Sequence, residues 1–306
     1  MKAYYTDHFV LPLPPEHRFP MAKYAQLRQR IISENVLPPE NLLVPAAATD
    51  AQLLRCHEAD YLQKVVNGTL TRKEIRRIGF PWSPYMVERS RRSTGATVAA
   101  ARTALTEGIS ANLAGGTHHA GRDHGEGYCV FNDAAVAARV MQDEGRVQRV
   151  VIIDCDVHQG NGTADICGND PTIFTLSIHG KRNFPFRKIY GDMDLGLDDN
   201  TGDDEYLDIL QMAVERALYL ARADLAIYIS GADPFIHDKL GKLALTKAGL
   251  AARDRLVLEM CYAEGIPVAV GMGGGYAKHI PDIVDIHLQT IKIAAEFAQR
   301  AFNPQA

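Results

Sequence analysis

The run Val150-Val151-Ile152-Ile153 leads without a break into Asp154-Cys155-Asp156-Val157-His158. Four consecutive β-branched residues suit a strand buried on both faces, as in a parallel sheet. Side chains alternate along an extended chain, so Asp154, Asp156 and His158 point the same way. They stand where the strand leaves the sheet. In open α/β sheets, ligands bind at that carboxyl edge. Two carboxylates and an imidazole converging there can hold a divalent metal.

Other strand-like runs fall at 3–5, 111–113, 172–178, 225–229 and 268–270, with helical patterns between them. Ser83-Pro84 opens a long helix through 99–105, with Ser as N-cap and Pro at the first helical position. Asn132-Asp133 opens an Ala-rich helix to about Glu144, closed by Gly145. Residues 203–220, 246–263 and 283–302 read as amphipathic helices. The alternation predicts an α/β fold, a parallel sheet with helices on both faces. No linker divides the chain, so residues 1–306 are expected to form one domain, and the Pro-rich 11–20 an ordered loop.

Composition narrows the function. The 306 residues are 46% hydrophobic and 23% charged with a net charge of -4, which argues against an electrostatic nucleic-acid surface. Arg89, Arg91 and Arg92 read as a solvated helix face or a local anion contact. The cysteines (Cys56, Cys129, Cys155, Cys167, Cys261) are odd in number, irregularly spaced and lack Cys-x-x-Cys. That argues against a disulfide framework and a thiolate zinc site, and Cys129 and Cys155 read as buried small hydrophobes. Without a signal-peptide pattern or a membrane-length apolar run, the expected setting is cytoplasmic, with no membrane partner.

Each strand end carries chemistry. Gly115-Gly116-Thr117-His118-His119 follows one strand, His179 a second, Ser230-Gly231-Ala232-Asp233-Pro234 a third and Gly271-Met272-Gly273-Gly274-Gly275-Tyr276 a fourth. A catalytic metal needs three protein ligands and an open position. Asp156, His158 and Asp233 supply them, leaving Asp154 to orient a histidine. Asp233-Pro234 also reads as a helix N-cap, and Tyr276 as an aromatic lid. His118-His119 reads either as one core and one solvent histidine or as a general base and acid. A phenol at Tyr276 can donate to a developing oxyanion.

These segments resemble the histone deacetylase superfamily, zinc-dependent deacylases of the arginase–deacetylase fold. The matching motifs are Gly115-Gly-Thr-His118-His119-Ala120, Gly127-Tyr-Cys-Val-Phe-Asn132-Asp133 and Asp154-Cys-Asp156-Val-His158-Gln-Gly-Asn161-Gly. Thr175-Leu-Ser177-Ile-His179, Gly231-Ala-Asp233-Pro and Gly273-Gly-Gly-Tyr276 follow in order. The early segments His17-Arg18-Phe19-Pro20 and His57-Glu58-Ala59-Asp60-Tyr61-Leu62 also match, and the details are most similar to compact prokaryotic members related to class IV. The resemblance implies Asp156, His158 and Asp233 as zinc ligands, with Fe2+ able to replace Zn2+. It implies His118 and His119 as the catalytic pair, His119 the base, with Asp154 bonded to His118 and Tyr276 polarising the scissile carbonyl. Gly127 would bind the substrate amide, and Tyr128, Phe184 and Leu240 would wall the acyl tunnel. A structural K+ would use Asp154, Asp156, His158, Ser177 and the backbone at Ile178.

Two departures stand out. Asn161 replaces the Asp that class I members place beside the second histidine, which makes His119 a weaker base. At the rim, Gly79-Phe80-Pro81-Trp82 stands where many members offer an Asp to the peptide backbone. With Phe80 and Trp82 on the rim, little dependence on flanking peptide sequence is expected. The substrate would be acyl-lysine or a small acylated amine, with a long acyl chain also open. Rival readings are a two-metal ureohydrolase of the same fold and a non-catalytic binding module for acyl ligands or proteins.

Overall fold

A computed structural model of the chain describes residues 1–14 and 16–300. Its eight strands are β1 (Ala3–Tyr4), β2 (Leu42–Leu43), β3 (Ile109–Asn112), β4 (Val150–Asp154), β5 (Ile173–Gly180), β6 (Met193–Leu197), β7 (Leu225–Ser230) and β8 (Val268–Met272). They form one sheet in the order β2-β1-β3-β8-β7-β4-β5-β6. Every pairing is parallel.

The helices divide between the two faces. α1 (Ala22–Ser33), α8 (Asp203–Ala221), α9 (Lys247–Ala263) and α10 (Ile280–Ala298) pack with Val151, Ile153, Tyr228 and Val270. α2 (Asp50–Leu53), α3 (Ala59–Asn67), α4 (Arg72–Ile78), α5 (Pro84–Glu107), α6 (Asp133–Asp143) and α7 (Asn161–Cys167) cover Val150, Ile152, Ile227 and Ala269 on the other. Alternate residues of β4 thus enter different cores, which is why its apolar run has no polar interruption.

Local signals set the helix starts. Ser83 and Asn132 accept the main-chain N–H of Met86 (3.1 Å) and Ala135 (3.0 Å) as N-caps of α5 and α6. Thr246 caps α9 in the same way. α10 starts at Ile280, earlier than its apolar pattern indicated, with Pro in its first turn. Phe302, the expected end of that helix, lies outside the described residues.

Topology puts the chemistry where it is. From β4 the chain moves outward to β5 and β6, then returns to β7 on the other side of β4 and continues to β8. The crevice between β4 and β7 is therefore a switch point, where loops leave in opposite directions. Asp154 lies level with Ile229 of β7, which lies level with Gly271 of β8. Three strand ends so meet at one height.

Candidate active site

Asp156 and His158 follow β4, and Asp233 follows β7. Their ligand atoms lie within 4.8 Å of one another, and all three residues are buried. His158 Nδ1 is 3.0 Å from Asp156 Oδ1 and 3.2 Å from Asp233 Oδ2. Asp233 Oδ1 accepts the Val157 N–H at 2.9 Å, but its buried Oδ2 has no hydrogen-bond partner. No helix begins at Pro234, so Asp233 is not an N-cap. A buried carboxylate oxygen without a donor is costly, and a cation removes the cost. The donor set fits a divalent metal.

The electrostatics agree. Burial, then the neighbouring Asp156 charge, raises the Asp233 carboxyl to about 7. Burial opposes the charge on His158, yet its hydrogen bond to Asp156 and the Asp233 carboxylate beside the ring raise it to about 10. A positive charge is demanded at this point in the fold.

The tandem histidines come from the turn after β3. Gly115 and Gly116 have φ of +90° and +63°, and a Cβ on Gly116 would meet Gly273 Cα at 2.7 Å. Glycine is needed there for both conformation and space. Asp133 pins the turn, accepting from Gly116 N (3.1 Å), Thr117 N (2.7 Å) and Thr97 Oγ1 (2.6 Å). The sequence marks Asp133 only as a helix start. Its position within the motif beside Asn132 is the signal that it does more.

His118 Nδ1 meets Asp154 Oδ2 at 2.6 Å, and His119 Nδ1 meets Asn161 Oδ1 at 2.6 Å. Both histidines are buried, with ring centroids 4.1 Å apart. Burial opposes protonation of His118, but Asp154 and Asp156 raise it to about 9. Burial, with His118 and His158 nearby, holds His119 well below the usual imidazole range. One histidine of the pair is thus disposed to carry charge and the other to stay neutral.

Tyr276, Gly127, Tyr128, Phe184 and Leu240 line one cavity of about 590 Å³ together with His119 and His158. Phe184 stands edge-on to His119, with centroids 4.9 Å apart. A Cβ on Gly127 would meet His119 Cδ2 at 2.6 Å, so only glycine lets the chain pass there. Tyr276 also lines a second, inner cavity of about 30 Å³ beyond the histidines. Lys23 and Arg89 border that inner space. Both are buried, and their charges lie over the rings of Phe19 and Tyr24. Arg89 is therefore not on a solvated face. Arg91 and Arg92 instead hold the main-chain oxygens of Ala48 and Pro45.

The expected aromatic rim is absent. Phe80 is buried against Phe19 and Tyr128, and Trp82 donates Nε1–H to Val65 O at 2.8 Å while covering Gly68. Both rings pack beneath the loop because hydrophobic burial is available there. Two other residues were not legible in the sequence as site residues. Glu126 accepts from Asn161 Nδ2 at 3.2 Å and pairs with Arg77. Arg253, fully buried on α9, donates to Cys155 O (3.2 Å) and Gly231 O (2.6 Å), holding both loops that carry the metal donors. Arg253 and Asp254 occupy the buried stripe with Leu250 and Val257, which is the signal that would have found them.

The sequence model described as Histone deacetylase domain matches residues 17–291. The chain belongs to the histone deacetylase family. An uncharacterized protein of Picosynechococcus sp. is 47% identical to this family member over 283 residues, covering 92% of this chain and 94% of that protein. Histone deacetylase 2 of Arabidopsis thaliana is 29% identical, covering 86% and 70%. The crystal structure of a histone deacetylase homologue from Aquifex aeolicus superposes with a TM-score of 0.83 at 24% identity, covering 98% of this chain and 84% of that one. That likeness establishes the arginase–deacetylase fold of this histone deacetylase family chain.

Proposed function

We propose that the chain is a zinc-dependent amide hydrolase that removes a short acyl group from an amine. The observation that carries the reading is one cavity onto which Asp156, His158, His119 and Tyr276 all open. Residues 1–306 are read as one catalytic domain, which the continuous sheet supports, in a cytoplasmic setting. No helix among the described residues is long and apolar enough to cross a membrane.

Asp156, His158 and Asp233 would hold the ion. When bound, it supplies Lewis-acid polarisation of the acyl carbonyl, a role Fe2+ can share with Zn2+. The chain's own residues do the rest. Nδ1–H of His119 is held by Asn161, which leaves Nε2 to take a proton from the attacking water. The Tyr276 hydroxyl donates to the carbonyl oxygen as negative charge builds on it. His118, held by Asp154, gives its proton to the departing amine. The Gly127 carbonyl accepts the amide N–H, and Tyr128, Phe184 and Leu240 flank the aliphatic stem. The products are a carboxylate and an amine. A structural K+ is proposed where Asp154 lies opposite Ser177 across β4 and β5, next to Ile178, beside a small cavity lined by Asp154 and Ser177.

The inner cavity limits the acyl group. Its 30 Å³ admits roughly two or three water-sized groups. That favours acetyl over a long chain, and Lys23 and Arg89 suit the carboxylate product. Asp-x-Asp-x-His followed by Gln159 and Asn161, rather than by further carboxylates, favours one metal over the two of a ureohydrolase. The test is a series of acyl-lysines of increasing chain length, assayed with metal-loaded and chelated protein. Acetyl-lysine should be cleaved fastest, chelation should abolish cleavage, and added Zn2+ should restore it. Undiminished cleavage after chelation, or no cleavage of any acyl-lysine, would sink the reading.

A further inference from the structure

The mouth of the substrate cavity is ringed by cations. Arg18, Arg76, Arg77, Arg182 and Lys242 line it, against Glu126 as the one carboxylate at the rim. The ring is built from separate parts of the chain: the loop before α1, the last turn of α4, and the segments after β5 and β7. Two of the five are neutralised. Arg77 pairs with Glu126 at 3.2 Å and Arg182 with Asp199 at 2.5 Å. Arg76 bonds only to the main-chain oxygen of Arg72, at 3.3 Å. Among the described residues, no ion pair engages Arg18, Arg76 or Lys242, and all three are exposed. The chain as a whole is acidic, with 37 Asp and Glu against 33 Lys and Arg. Its composition therefore does not produce this excess by itself.

Like charges around a concave mouth add their potentials, which draw in anions and repel cations. The acyl end of a substrate passes the ring and reaches Tyr276. The amine part stays among the cations. A lysine-rich segment or a polyamine would bring further positive charge to a place that already holds three unpaired ones.

We propose that the leaving amine of the substrate is anionic: an acylated amine with carboxylate or phosphate groups close to the amide-bearing stem. This rests on the deacylase reading for which end of the substrate enters first. The shared chemistry could come from a small acylated amino acid or from acyl-lysine within an acidic protein segment.

The test uses the metal-loaded full chain and reads binding and turnover separately. One arm compares acetyl-lysine pentapeptides flanked by Asp, Gln or Lys. The other compares Nα-formyl-Nε-acetyl-lysine as free carboxylate and as carboxamide. Asp-flanked peptides should bind about tenfold more tightly than Lys-flanked ones at low ionic strength. The gap should close to within about twofold near 0.5 M salt. The triple variant Arg18→Gln, Arg76→Gln, Lys242→Gln should lose the preference while keeping the wild-type thermal midpoint. A gain confined to the free carboxylate points to a small substrate, and a gain confined to the peptides points to an acidic protein segment. Equal or tighter binding of Lys-flanked peptides overturns the inference, as do failure of every anionic probe to bind and a preference that survives in the triple variant. Absence of turnover with the binding preference intact would instead count against the deacylase reading alone.

Discussion

Asn161 fixes which nitrogen of His119 faces the substrate. Its Nδ2 donates to Glu126, so its Oδ1 must accept from His119 Nδ1. The Nε2 lone pair is left toward the cavity. An Asp here would add a charge beside the ring, whereas Asn orients it without one. Burial and the two neighbouring histidines keep His119 neutral, as a base should be. His119→Ala is expected to lower turnover by roughly 10²–10⁴ with the metal retained, measured by kinetics alongside elemental analysis. Loss of metal in that variant would make His119 a ligand. Tyr276 sits where inner cavity and mouth meet, with its ring 6.2 Å from that of His158. Tyr276→Phe should lower kcat by roughly 10²–10³ with a smaller change in KM. Near wild-type kcat would reduce Tyr276 to a lid.

At the scale of elements, α9 acts as a brace for the strand ends. Arg253 joins the loops after β4 and β7, and its ion pair with Asp254 (2.8 Å) is fully buried. Asp254 in turn accepts from Tyr228 OH (2.5 Å) and Thr290 Oγ1 (2.6 Å), linking β7, α9 and α10. Removing one member of such a pair leaves an uncompensated buried charge. Arg253→Met is therefore expected to cost about 3–5 kcal/mol of stability, read from the denaturation midpoint, and to weaken metal retention. The double variant Arg253→Met, Asp254→Leu should recover part of the loss. An unchanged midpoint in the single variant would show that the brace contributes nothing.

For the whole molecule, the sheet order brings β4 and β7 together as neighbours although about 70 residues separate them in the chain. Metal donors on their two loops thus depend on the sheet being complete. One transition metal per chain is expected by elemental analysis, and Asp156→Ala or Asp233→Ala should remove both metal and activity. Two tightly bound transition metals per chain would return the ureohydrolase reading.

Sequence alone determined what is encoded within a few residues. The apolar run of β4, the helix starts at Ser83 and Asn132, and the polar strand ends could all be read locally. The alignment of Asp154, Asp156 and His158 follows from strand geometry alone, and the order of the motifs carries the family. Short or half-exposed elements were missed: β2, β6, α7 and all of α1 to α4. They lack a long apolar period, and much of their stability comes from the cores they cover. Tertiary structure alone decided which distant residues meet. Phe80 and Trp82 turned inward because buried surface awaited them, and Arg89 came to border the acyl side of the site with Lys23. Arg77, Glu126 and Asn161 became a chain leading to His119. The rim gained its positive charge because packing gathered cations from four separate segments, and sequence spacing carries no record of contacts between segments so far apart.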